Sequence, residues 1–122
     1  ITIGLRGGQL SGERRAITLL KKLGVETVVF LVLIPTRGTA FADRTPPPLG
    51  QVGELFSHAR QELPDAPIYL GCMRPGGAYR DEVDRLAIRA GLNRIVNPAP
   101  SAVSLAVELG LRIVWKDECC VF

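Results

Sequence analysis

Hydrophobic periodicity switches between strand spacing and helix spacing four times along this chain, and that alternation restricts the fold more than any single residue does. Ile1 to Arg6 alternates as a strand. Ser11 is placed to cap a helix from about Gly12 to Leu23, with Ala16, Ile17, Leu20 and Leu23 on one face and Gly24 as its stop. Thr27 to Ile34 is apolar at nearly every position, the pattern of a strand buried in a parallel sheet. A long loop, Pro35 to Gly50, contains Pro46-Pro47-Pro48 and leads to a second helix, about Leu49 to Leu63. Its Val52, Leu55, Phe56, Ala59 and Leu63 recur at the spacing of one buried face before Pro64 ends it. Pro67 to Cys72 is the third strand, and Met73-Arg74-Pro75-Gly76-Gly77 turns into a helix carrying Val83, Leu86, Ala87 and Ala90, closed by Gly91. A short strand, Arg94 to Val96, passes through Asn97-Pro98-Ala99-Pro100 into a last helix capped by Ser101, and Leu111 to Trp115 is again strand-like.

Regular β-α alternation implies a parallel sheet with right-handed crossovers. Two architectures meet that requirement. A closed (β/α)8 barrel takes about 250 residues, so four units of this size make half of one. An open doubly wound sheet of four or five strands is complete by itself. The chain begins at Ile1, already inside a strand pattern, as though cut at its N-terminus, and this favours the half barrel: about four parallel strands with helices outside. Residues 1–122 form one unit, with a tail from about residue 111.

The balance of 15 basic and 12 acidic residues gives a net charge of +3, spread along the sequence without a clustered basic stripe, so no nucleic-acid partner is expected. Val28 to Ile34 is the longest apolar run and is far short of the roughly 20 residues a membrane span needs. The three cysteines, Cys72, Cys119 and Cys120, are odd in number and two are adjacent, which argues against a disulfide framework and for a reducing, cytoplasmic setting.

In either architecture the active face lies at the C-terminal ends of the strands. Four segments meet there: Arg6-Gly7-Gly8-Gln9, Pro35-Thr36-Arg37-Gly38-Thr39, Cys72-Met73-Arg74-Pro75-Gly76-Gly77 and Asn97-Pro98-Ala99-Pro100. Arg6, Arg37 and Arg74 are candidates for gripping a carboxylate or phosphate, against the alternative that they are solvated turn residues. His58 falls on the polar side of its helix with no ligand-spaced partner and is expected at the surface. Cys72 ends an inward strand, where the commoner role of a cysteine is a small buried hydrophobe. Cys119 and Cys120 are the candidate metal ligands, although adjacent side chains in an extended segment point to opposite faces.

Read in order, these segments resemble the radical S-adenosylmethionine (SAM) enzymes of the biotin synthase and lipoyl synthase group. Phe30-Leu31-Val32-Leu33-Ile34-Pro35-Thr36-Arg37-Gly38-Thr39-Ala40-Phe41-Ala42 resembles the sixth barrel strand and its loop. Ile3 to Glu13, with Gly7-Gly8 and Gly12-Glu13, resembles the fifth-strand glycine motif beside the SAM adenine. Ile68-Tyr69-Leu70-Gly71-Cys72-Met73-Arg74 falls where the seventh strand meets substrate, and Ala90-Gly91-Leu92-Asn93 resembles the turn into strand eight. The resemblance covers about the whole chain and implies the C-terminal half of the barrel.

It further implies SAM contacts at Gly7, Gly8, Leu10, Ile34, Pro35 and Thr36, and substrate contacts at Arg6, Arg37, Tyr69, Cys72 and Arg74. The [4Fe-4S] cluster belongs to the other half, because the Cys-x3-Cys-x2-Cys motif is absent here. Cys119 and Cys120 are candidates for an auxiliary site. Where biotin synthase holds its second cluster with a cysteine and an arginine, this chain has Leu5 and Tyr69, so the resemblance favours a lipoyl-synthase-like or another branch over biotin synthesis, with sulfur insertion as one outcome and the substrate open. The implied partners are the missing N-terminal half-barrel and a small-molecule or protein-bound substrate. The competing reading is a stand-alone α/β module that binds a nucleotide or phosphate at Arg6-Gly7-Gly8 or at Arg74 to Gly77.

Overall fold

The computed structural model describes residues 1–119 as an α/β unit of four strands and four helices in strict alternation. The elements are β1 (Thr2–Ile3), α1 (Glu13–Leu23), β2 (Val28–Val32), α2 (Leu49–Glu62), β3 (Ile68–Leu70), α3 (Gly77–Arg89), β4 (Arg94–Ile95) and α4 (Pro100–Glu108). All strand pairs are parallel and the sheet order is β1-β2-β3-β4, with Val28, Val29 and Phe30 opposite Ile68, Tyr69 and Leu70. This order never reverses, so the topological switch point of a doubly wound sheet is absent. Each helix packs on the next, α1 on α2, α2 on α3 and α3 on α4.

Alternation along the strands puts Ile3, Val28, Phe30, Val32, Ile68 and Leu70 on the face that meets Ile17, Val52, Leu55, Phe56, Ala59, Val83 and Ala87 of the helices. Phe30 and Phe56 make the tilted ring contact at its centre, 5.4 Å between centroids. The opposite face carries Thr2, Val29, Leu31, Tyr69 and Arg94, all only partly buried.

The elements differ in detail from the sequence expectation. β1 stops at Ile3 rather than Arg6, because Gly4 (φ 82) turns the chain at once and its carbonyl accepts from the Gly8 amide at 2.8 Å. Ser11 is not the cap of α1. Gly12 stands there without a side-chain cap, and the buried Glu13 carboxylate instead accepts from the amides of Gly4 (2.9 Å) and Ser11 (2.5 Å). Ser101 is not the cap of α4 either. Extended Ala99 precedes Pro100, whose fixed φ suits the first helical position, and Ser101 Oγ donates to Asp81 Oδ1 at 2.6 Å, tying α4 to α3. Residues 111–119 form no strand; they run beside β4 across a groove, and a strand requires a hydrogen-bonded neighbour. Among the described residues no helix is long and apolar enough to cross a membrane.

Candidate functional site

The ladder continues past the strand ends and brings the four loops to one edge. Leu33 N–H donates to the Ile3 carbonyl (2.9 Å), Gly71 N–H to that of Phe30 (2.8 Å), Val32 N–H to that of Met73 (2.9 Å) and Val96 N–H to that of Leu70 (3.0 Å). Exposed there are Leu5, Arg6, Ile34, Thr36, Arg37, Cys72 and Met73. Cys72 is thus an exposed free thiol rather than a buried hydrophobe, because the strand ends at Leu70 and the chain bends at Cys72 itself.

Arg74 does not face this surface. Its side chain is fully buried and bidentate on Asp84, Nε to Oδ1 at 2.5 Å and Nη2 to Oδ2 at 2.9 Å. Nη1 donates to the Gly71 carbonyl (2.7 Å), and Nη2 donates to the carbonyls of Val96 (2.9 Å) and Asn97 (3.1 Å). Asp84 Oδ2 accepts from the Ala99 amide at 2.8 Å as well. The guanidinium is spent on the protein itself, welding the β3–α3 and β4–α4 loops to α3. Asn97, in the left-handed region (φ 48), turns its carbonyl to both Arg74 and Arg80.

The glycine loop after β1 is also covered by its own chain. A Cβ on Gly8 would strike the Thr45 carbonyl oxygen, one on Gly4 would strike Pro47, and Gly7 lies under the Arg44 side chain. Tyr79 of α3 holds this proline segment, donating its hydroxyl to the Pro47 carbonyl at 2.8 Å, and burial pushes its phenol up to about 12. Of the residues expected at SAM, Gly8 is therefore buried and Leu10 packs at the margin of the core, whereas Ile34 and Thr36 are exposed and Pro35 is half-buried. The Thr36 hydroxyl donates to the Ile34 carbonyl at 2.9 Å.

Tyr69 lies on the helix-free face, with the Arg94 guanidinium 4.8 Å above its ring. Arg94 in turn reaches the tail: Nη2 donates to Glu118 Oε2 (3.1 Å) and Nη1 to the Cys119 carbonyl (3.4 Å). Cys119 thus lies beside the first residue of β4, away from Arg6 and Arg37, and Cys120 lies outside the described residues. Among the described residues no group of three or more His, Cys, Asp or Glu converges on a metal position. His58, expected at the surface, is half-buried, and its Nε2 is sealed with no hydrogen-bond partner among the described residues.

Sequence reasoning missed Asp84, Glu13 and Arg60. Asp84 interrupts the apolar stripe between Val83 and Ala87, a signal that a carboxylate is buried. Arg60 mirrors Arg74 at the other end of the sheet, donating through Nη1 to the carbonyls of Leu63, Pro64 and Ala66 (each 3.0 Å) and through Nη2 to Asn93 Oδ1 (2.6 Å). No protein-family model, curated protein or solved structure matches this chain.

Proposed function

We propose that this chain is the C-terminal half of a (β/α)8 barrel in a radical SAM enzyme of the biotin synthase and lipoyl synthase group. The observation that carries the reading is the unreversed strand order with a single row of helices. Such a sheet has one covered face and one open face, and barrel closure is the arrangement that buries the open one. The order of loops along the C-terminal edge, a glycine loop, a Pro-Thr-Arg-Gly loop and a Cys-Met-Arg loop, is the order the resemblance requires.

The residues present suit an adenine wall better at Leu5, Ile34, Pro35 and Thr36 than at Gly7 and Gly8. Leu5 and Ile34 are both exposed at the ends of adjacent strands, while the glycines are roofed by residues 44–47. Arg6, Arg37 and Cys72 remain available to a substrate, whether a small molecule or carried on a protein. The described residues do not fit a cluster, so the reductive chemistry on SAM belongs to the partner half. Sulfur insertion of lipoyl-synthase type is one outcome the resemblance allows.

The stand-alone phosphate module draws less support from its two candidate loops. Arg74 is saturated by Asp84 and carbonyls, and the Glu13 carboxylate already occupies the amides beside the Gly7-Gly8 loop. Reading the coding sequence upstream of Ile1 tests the proposal. Three cysteines in the Cys-x3-Cys-x2-Cys spacing within about 150 residues are expected, the length of the missing half. An upstream sequence without them would refute it.

A further inference from the structure

The tail and the body border a groove of about 580 Å³ that the proposed function does not use, within the size range of small-molecule sites. Its lining is mixed, and the apolar part is Leu92 from the turn after α3, Val103 and Ala106 from α4, and Ile113 from the tail, beside the polar Asn93 and Asn97. One end is cationic. Arg94 stacks on Tyr69, with its side chain only 19% exposed, and the groups seated on it include the Cys119 carbonyl and a carboxylate, Glu118, which Lys116 also approaches at 3.5 Å. The tail stands off rather than packs, since Leu111, Val114 and Trp115 are all more than half exposed.

We propose that this groove binds a carboxylate-bearing amphiphile, whose apolar body fills the space between α4 and the tail and whose carboxylate replaces Glu118 on Arg94. The charge fits an occupant already present: an arginine that pairs with an intramolecular carboxylate through one nitrogen accepts an external carboxylate there. The apolar length fits the walls, because filling the groove removes Ile113, Val103 and their neighbours from water. The inference does not use the barrel reading and is tested on the chain by itself, since Arg94 and Tyr69 share the helix-free face that closure would bury.

Trp115, the only tryptophan in the chain, lines the groove and reports on it. The test titrates the full chain with sodium hexanoate at constant ionic strength and follows Trp115 fluorescence, with butanoate, hexan-1-ol and inorganic phosphate as comparisons. A saturable response is expected for hexanoate, weaker for butanoate, and absent for the alcohol and for phosphate. Glu118→Gln removes the internal competitor and tightens hexanoate by up to about fivefold, the range of an exposed ion pair. Arg94→Gln weakens it more than about tenfold, as loss of a charge-assisted pair does, and Arg94→Lys restores part of it. Thermal unfolding of each variant establishes that it is folded. Equal responses to hexan-1-ol or phosphate, an unsaturable response, or unchanged affinity in Glu118→Gln would overturn the proposal.

Discussion

Arg74 and Arg60 stand at opposite ends of the sheet, and each collects backbone carbonyls that no strand or helix satisfies. Asp84→Asn leaves the Arg74 charge buried and unpaired, and should cost about 3–5 kcal/mol in urea unfolding. The double change Arg74→Met with Asp84→Leu, which is often benign for a buried pair, should not rescue it. The carbonyls of Gly71 and Val96 and the amide of Ala99 would then lose their partners, and the Asn97 carbonyl would keep only Arg80. Full recovery in the double variant would show that the loops do not depend on this pair. Tyr79 gives a pH signature. Its phenol is raised from 10.0 to about 12 by burial, so the unfolded chain ionises first; stability is undiminished below pH 10.0 and falls as pH rises towards 12. Urea midpoints at about pH 9 and about pH 11 should diverge, and Tyr79→Phe should shrink the difference. The sequence placed Arg74 at the correct strand end but not its partner, because a pairing ten residues apart across a turn is settled by tertiary packing.

At the level of elements, glycines mark where the chain turns. Gly24, Gly91 and Gly110 end α1, α3 and α4 in the same way: the glycine amide reaches back three residues and the next amide reaches back five, as Gly91 N–H to Ile88 and Leu92 N–H to Ala87 show. The stops at Gly24 and Gly91 were legible because helix termination is local. The strand lengths were not. Residues 4–6 continue an apolar pattern, yet Gly4 leaves the sheet because the segment 45–47 packs against it. Gly8 and Gly12 separate the two causes, since both have positive φ but only Gly8 meets another backbone. Gly12→Ala should cost about 1–2 kcal/mol, the left-handed term alone. Gly8→Ala should add about 1–3 kcal/mol for overpacking against Thr45. Equal midpoints for the two variants would mean that the proline segment yields freely.

The whole molecule is a parallel sheet with one open face and two outer strands, β1 and β4. The β-α order and the parallel sheet followed from periodicity; the strand order did not, because a parallel crossover specifies its hand and not the direction in which the sheet grows. The tail was read as a strand from alternation at 111–115, yet alternation alone supplies no neighbour to bond. Expressed by itself, the chain should self-associate through its edges in sedimentation or size-exclusion measurements, and should retain no [4Fe-4S] cluster after anaerobic reconstitution. The central claim is the proposal that this chain is half of a radical SAM barrel, and reductive cleavage of SAM by a polypeptide that joins it to the upstream half the proposal requires tests it most directly. Anaerobic incubation with a strong reductant should yield 5'-deoxyadenosine and methionine from the joined polypeptide and neither from this chain alone. A joined polypeptide that is folded and iron-loaded but forms no 5'-deoxyadenosine would contradict the account.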